Sequence, residues 1–287
     1  MTEVAVWSLS GKHRSHVIAA ALETGARRAG YRTLLRGDSS YKTCGTIGDV
    51  AAFYGYQKCF PQMMADYLAA DKSVVFVDLG YWSRRRGGRY VGYHKVTINE
   101  RHPNKYLMTR KRDFSRLTRL GIRAAPWKPA GDFIIVAGMS DKSATSYGMK
   151  PEEWERWAVA ELRKHTNRPI IYRPKPSWFD AKPIAGSEFK AAKASSDATA
   201  ETFIGCHAVV THHSNIAIDA LVHGIPAFCW DGAAVCMSSQ DLAQIESPMR
   251  PDGREQWLAN LAWCQWSVEE MRNGIMWQYL KQDGAIP

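Results

Sequence analysis

The sequence predicts an α/β protein built on parallel sheets, and three observations carry that expectation. Short apolar runs alternate with helix-spaced segments along the chain, as strand–helix–strand units require. Small polar loops follow those runs. One stretch, residues 208–230, reads without a break as strand, polar loop, helix and strand.

From the N-terminus, residues 4–7 predict a strand, residues 8–12 a small-residue loop and residues 16–28 an alanine-rich helix ended by Gly30. Residues 31–35, 49–54 and 73–77 read as further strands, with a helix over 61–70 between the last two. The first loop lacks the spaced glycine of a phosphate-binding P-loop and is not Gly-x-Gly-x-x-Gly, so Gly11 and Lys12 are expected to line a cleft for an acceptor. After residue 77 the chain turns into Asp78-Leu79-Gly80-Tyr81-Trp82-Ser83 and then Arg84-Arg85-Arg86-Gly87-Gly88-Arg89, a loop expected to move until it meets a ligand. Strand-like alternation resumes over residues 93–99.

Residues 122–131, with Pro126 and Pro129, make the best linker. Two domains are therefore expected, 1–125 and 126–287. The second opens with a strand over 132–137, a polar loop over 138–143 and a helix over 151–165. A strand over 169–172 delivers Arg173-Pro174-Lys175-Pro176. Residues 254–280 predict one long helical stretch whose tryptophans, Trp257, Trp263, Trp266 and Trp277, serve packing.

In open parallel sheets ligands bind beyond the carboxyl ends of the strands. That rule gathers Gly138 and Ser140, Arg173 and Lys175, and His212, His213, Ser214 and Asn215 into one candidate site. Ser214 or Asn215 can cap the following helix, whose N-terminus suits an anion such as phosphate. Asp219, one turn in, either answers the helix dipole or reaches a ribose.

Composition narrows the function. The chain has 287 residues and is 45% hydrophobic, enough for two cores. No run approaches the roughly 18 apolar residues of a membrane span, and no basic leader precedes an apolar segment, so a cytoplasmic protein is expected. Six cysteines without a Cys-x-x-Cys pair predict reduced thiols and no zinc site. Charge is uneven: residues 84–128 hold fourteen Lys and Arg against two acids, a block of +12 in a chain of +10. Such a block attracts polyanions, or forms a solvated surface or a contact to acidic lipid headgroups.

Several segments together resemble the capsule polysaccharide biosynthesis glycosyltransferases, a family that includes transferases of the sugar acid Kdo. They are Asp78 to Arg84, Ile134 to Gly138 with Asp141 to Ala144, Tyr172 to Pro176, Thr211 to Pro226, and Gln265 to Glu270 with Gly274 and Trp277. Lys175 stands where the family has a histidine between two prolines. The resemblance implies a GT-B fold, two Rossmann-like domains facing a central cleft. It places a nucleotide-sugar donor on the C-terminal domain and the acceptor on the N-terminal one.

Transfer of a sugar needs charge stabilisation at the departing phosphate and a base for the acceptor hydroxyl. Arg173 and Lys175 suit the first role. For the base the choice is Asp78, with His94 as runner-up. No Asp-x-Asp pair lies in a suitable loop, so no obligatory metal or other cofactor is expected. Acceptor contacts are assigned to Gly11, Lys12, Tyr81, Trp82, Arg84, Arg85, Arg86, Arg89, Lys95 and Arg101. Basic side chains interleaved with aromatics suit DNA, which makes a hydroxymethylated pyrimidine base of a bacteriophage genome the first acceptor expected. The alternatives are a capsule or lipopolysaccharide glycosyltransferase, and a non-catalytic nucleic-acid-binding module.

Overall fold

The computed structural model describes every residue except Arg85, Arg89 and residues 192–197. Its strands are β1 (Glu3–Ser8), β2 (Arg32–Gly37), β3 (Val50–Tyr54), β4 (Ser73–Leu79), β5 (Tyr93–Ile98), β6 (Phe133–Ala137), β7 (Ile170–Arg173), β8 (Glu188–Phe189), β9 (Cys206–Thr211), β10 (Ala227–Cys229) and β11 (Gln265–Ser267). They form two sheets, in the orders β11-β5-β4-β3-β1-β2 and β10-β9-β6-β7-β8.

The chain divides into two compact units, Met1–Pro103 with Leu261–Pro287, and Asn104–Asn260. This differs from the expected division at residue 125. The C-terminal segment joins the first unit because Trp266, Val268, Met271, Met276 and Trp277 are buried in one cluster with Val4, Ile18 and Leu22.

In the first unit β1, β2, β3 and β4 are parallel, whereas β4–β5 and β5–β11 are antiparallel. The entirely parallel sheet expected from the alternation therefore gains an antiparallel edge. Among the described residues no helix lies between β4 and β5 to carry the chain across the sheet, and the chain returns antiparallel to β4. The His13–Arg28 helix covers one face of this sheet, packing Ile18 and Leu22 with Val4, Val6, Val50 and Ala52. Its Gly25 admits the backbone of the Val268–Arg272 helix so closely that a Cβ would stand 1.7 Å from the Met271 carbonyl oxygen.

The single helix expected over residues 254–280 is broken. The Arg254–Trp263 helix gives way to β11, then to the Val268–Arg272 and Ile275–Gln282 helices. Ser267 starts the second of these with a reciprocal capping box to Glu270, and Gly274, at φ +82, separates the last two. The packing role expected of the tryptophans holds, with Trp257, Trp266 and Trp277 at 1% exposure or less.

The second unit is fully parallel. One face of its sheet packs Ile134, Val136 and Val210 against Trp154, Ala158 and Leu162, and the other packs Ile135 and Val209 against Ile216 and Ala220. Each apolar strand is covered on both sides, as a parallel sheet requires. Among the described residues no helix is long and apolar enough to cross a membrane.

Candidate functional site

The second unit presents its chemistry at the carboxyl edge of its sheet. Ala137, at the end of β6, pairs with Arg173 on one side and Thr211 on the other. Gly138 donates its N–H to the Arg173 carbonyl at 2.9 Å, and Thr211 Oγ1 donates to the Ala137 carbonyl at 2.8 Å. Three loops predicted far apart in sequence thus start from one line. The fit at Gly138 is close, since a Cβ would stand 3.0 Å from the Tyr172 ring and 3.2 Å from Glu155 Oε1 and would press on both side chains.

Ser140 caps the Asp141–Ser146 helix by accepting from the Ser143 N–H at 3.3 Å. Lys175 is exposed and Arg173 half-buried. In the third loop the Thr211 hydroxyl accepts from the Ser214 N–H at 3.3 Å, and Ser214 Oγ accepts from the Ile216 N–H at 3.4 Å. Ser214, rather than the side chain of Asn215, therefore serves the start of the Ile216–Val222 helix. Asp219 lies in the first turn of that helix.

His212 is buried, and its carbonyl accepts from the N–H groups of Trp230 at 3.0 Å and Asp231 at 2.7 Å. Its Nδ1 lies 3.2 Å from His213 Nδ1, so one of the two nitrogens donates and the other accepts. Burial lowers the His212 pKa, against a smaller upward pull from Asp231, which favours a neutral ring. The Tyr147 ring sits 4.5 Å from His212 and 5.1 Å from His213, and its hydroxyl donates to Asp231. The sequence reading missed Tyr147 and Asp231. Asp231 was discoverable, since it follows directly on a strand end of the same edge; Tyr147 leaves no local signal.

Glu155, also missed, is 1% exposed and accepts the Met139 N–H at 2.7 Å, holding the loop after β6. Burial raises its pKa, with the Met139 bond opposing. Its Oε2 and the Tyr172 hydroxyl, both buried, have no hydrogen-bond partner among the described residues.

The first unit has a matching edge. Beyond β1, Ser10 donates its N–H to Asp38 Oδ1 at 2.9 Å and its hydroxyl to the same oxygen at 2.5 Å, while Lys58 Nζ reaches Asp38 Oδ2 at 3.0 Å. Burial alone would raise the Asp38 pKa, but the Ser10 and Lys58 interactions outweigh it and hold it at about 2. This clamp fixes the loop that carries Gly11, at φ +72, and Lys12, both exposed. Arg14 donates to the Tyr54 hydroxyl at 3.2 Å and stands 5.3 Å from the Tyr90 ring, which also meets His13 edge-on at 5.1 Å.

Asp78 is half-buried near the end of β4, where Oδ1 accepts from the Leu79 N–H at 2.8 Å. The two candidate bases are not brought to one face. Asp78 pairs with Lys95 and Leu79 with His94, so strand alternation sends Asp78 and His94 to opposite sides of the sheet. His94 is 1% exposed, meets the Tyr54 ring at 5.8 Å, and donates from Nδ1 to the Gly92 carbonyl at 2.9 Å. Burial pushes its pKa down to about 4.

Three expected acceptor contacts lie in the interior instead. Tyr81 and Trp82 are 2% and 7% exposed, and both backbone N–H groups donate to Gln265 Oε1, at 2.9 and 3.1 Å. Lys95 is 6% exposed and its Nζ donates to the Arg101 carbonyl at 2.9 Å. Gly80 and Gly92 let this loop close upon itself, where Cβ atoms would meet the Tyr93 carbonyl oxygen at 2.5 Å and the Arg84 carbonyl oxygen at 2.3 Å. Arg84 is half-buried and donates to the Tyr81 carbonyl, Arg86 is exposed, and the Arg101 guanidinium stands 4.3 Å from the Tyr56 ring centroid. Arg85 and Arg89 lie outside the described residues. The basic block spans both units, because the chain passes from one to the other between Pro103 and Asn104.

No family model and no curated protein sequence matches the chain. Among solved structures it is similar to the β-Kdo 2,7 transferase of Thermosulfurimonas dismutans KpsC, at 13% identity and TM-score 0.53, over 96% of this chain and 99% of that one. It is also similar to the β-Kdo 2,4 transferase of the same KpsC, at 10% identity and TM-score 0.50, over 89% of each chain. At these identities the likeness establishes the fold, and the chain has the two-Rossmann-domain, GT-B-like architecture expected of it.

Proposed function

We propose that this chain is a nucleotide-sugar-dependent glycosyltransferase whose acceptor is a hydroxymethylated pyrimidine in DNA, as in bacteriophage DNA hypermodification. The observation that carries the transferase reading is the gathering of chemistry at the carboxyl edges of both sheets. Arg173, Lys175 and the loop from His212 to Asn215 occupy one edge, and Asp78 with the clamped Gly11–Lys12 loop occupies the other. The second unit takes the donor and the first the acceptor.

In the step itself the acceptor oxygen attacks the anomeric carbon, its proton passes to the Asp78 carboxylate, and the bond from sugar to phosphate breaks. The nucleotide departs with the bonding electrons. Arg173 and Lys175 stabilise the charge gathering on the leaving phosphate, the electrostatic role a divalent metal plays in other transferases. Asp78 is preferred to His94 because it is half-buried, whereas His94 is enclosed. Such an enzyme works in the cytoplasm, where nucleotide sugars and DNA meet.

The DNA reading rests on charge, with Arg84 and Arg86 beside the acceptor edge, and no longer on stacking by Tyr81 and Trp82. A second reading, transfer to a capsule or lipopolysaccharide glycan, is favoured by the likeness in fold to the two Kdo transferases. A nucleic-acid-binding module without catalysis would bind DNA and leave donors intact.

The test is nucleotide release from a panel of nucleotide sugars, with and without hydroxymethylated duplex. Release that requires the duplex, is lost in Lys175→Ala and leaves DNA binding of that variant intact supports the proposal. DNA binding without release under any condition points to the non-catalytic module. Release driven by glycan acceptors alone would move the acceptor to carbohydrate.

A further inference from the structure

Of eleven tryptophans in the chain, Trp157 alone is exposed, at 45%. It lies on the Glu153–Leu162 helix, and its ring does not stand alone on the surface. It meets the half-buried Trp230 at 5.5 Å and the buried Trp154 at 6.1 Å, and Trp154 in turn meets Trp230 at 5.3 Å and His212 at 5.7 Å. Trp230 follows directly on β10 and donates its N–H to the His212 carbonyl, so this aromatic cluster is anchored to the loop that carries the donor-site histidines.

We infer that the exposed ring of Trp157, braced by the nearly perpendicular ring of Trp230, seats the nucleobase of the donor, an assignment that rests on the donor reading of the second unit. Leaving an indole in water forgoes the gain of burying its apolar surface, and an aromatic ring at the carboxyl edge of a parallel sheet recovers it when a flat ligand settles there. Trp157 is backed on two sides by other indoles, so it offers a rigid platform with little rotamer freedom left to lose. Every nucleobase has a π face that such a platform accepts. The polar groups needed for the rest of a nucleotide sit on the adjoining loop, where Tyr147 orients Asp231 beside His212 and His213.

The experiment titrates the full chain with CMP, UMP, UDP, GDP and dTDP, and with pyrophosphate as a probe lacking a base, reading tryptophan fluorescence and calorimetric heat. The expected result is quenching by at least one nucleotide, a Kd raised about tenfold in Trp157→Ala and largely restored in Trp157→Phe, and pyrophosphate binding equal in all three. Both variants change an exposed side chain, and coincident thermal melts confirm that the fold is retained. A nucleotide Kd unchanged in Trp157→Ala overturns the base seat and leaves the donor site standing. Wild-type chain that binds no nucleotide overturns the donor reading itself, and the base seat with it.

Discussion

The Tyr147 hydroxyl donates to the Asp231 carboxylate, joining the segment after the Asp141–Ser146 helix to the loop after β10 around the ring of His212. Asp231 Oδ1 meanwhile accepts from the Gly232 N–H at 2.7 Å. Replacing Tyr147 by Phe keeps the ring contact with His212 and removes the donor. We expect a stability loss of about 1 kcal/mol in denaturant unfolding, and donor binding weakened further than that loss explains. Donor affinity equal to wild type would show that the pair serves the fold alone.

The close approach at Gly25 makes the cleanest prediction about the fold. A Cβ there would stand 1.7 Å from the Met271 carbonyl oxygen and 3.1 Å from the Trp277 ring. Backbone cannot swing aside as a flexible side chain does, so Gly25→Ala must push the Val268–Arg272 helix away from the His13–Arg28 helix. Its cost should reach about 3 kcal/mol, the upper part of the range for overpacking. A control at Gly30, where φ is +89 and no neighbour lies within reach, should show only backbone strain.

His94 should make the first unit acid-sensitive. Its folded pKa of about 4 lies below the ordinary 6.5, so the unfolded chain binds the proton more readily. The stability tied to the neutral ring is therefore fully present above about pH 6.5 and is lost as pH falls toward 4. The whole effect is on the order of 3 kcal/mol. His94→Gln should flatten this part of the stability profile. The other histidines whose pKa burial depresses, His207, His212 and His223, remain in the variant, so the difference between the two profiles isolates His94.

Buried aromatics and exposed cations of the acceptor loop should separate cleanly. Trp82→Ala removes an interior side chain and should cost about 3 kcal/mol of stability. Arg86→Glu, at an exposed position, should leave the melting curve within about 0.5 kcal/mol and weaken DNA binding with a reduced salt slope. Unaltered DNA affinity in Arg86→Glu combined with Arg84→Glu would remove this loop from the acceptor surface.

The legible part of the architecture was local. Strands and loops of the second unit follow from apolar runs bounded by glycine and proline, and the carboxyl-edge rule correctly drew Gly138, Arg173 and the His212 loop toward one line. The C-terminal break went unread in favour of one long helix, although Ser267 and Glu270 stand at capping-box spacing inside that pattern. The return of this segment to the first sheet was not legible, because burial of Trp266 and Trp277 against the His13–Arg28 helix is a long-range choice that periodicity does not encode. Tyr81 and Trp82 misled for the same reason: an aromatic beside arginines reads as a stacking surface until its burial is known. The pairing of Tyr147 with Asp231 spans 84 residues and leaves no trace in either segment.

The most direct measurement is the mass of DNA after incubation with the protein and a panel of nucleotide sugars, using duplexes bearing hydroxymethylcytosine, hydroxymethyluracil or neither. The account predicts a gain of one sugar residue per modified base, confined to hydroxymethylated DNA and lost in Asp78→Asn. No gain on any DNA from a protein that binds donors would contradict the DNA acceptor, and an undiminished gain in Asp78→Asn would contradict the assigned base.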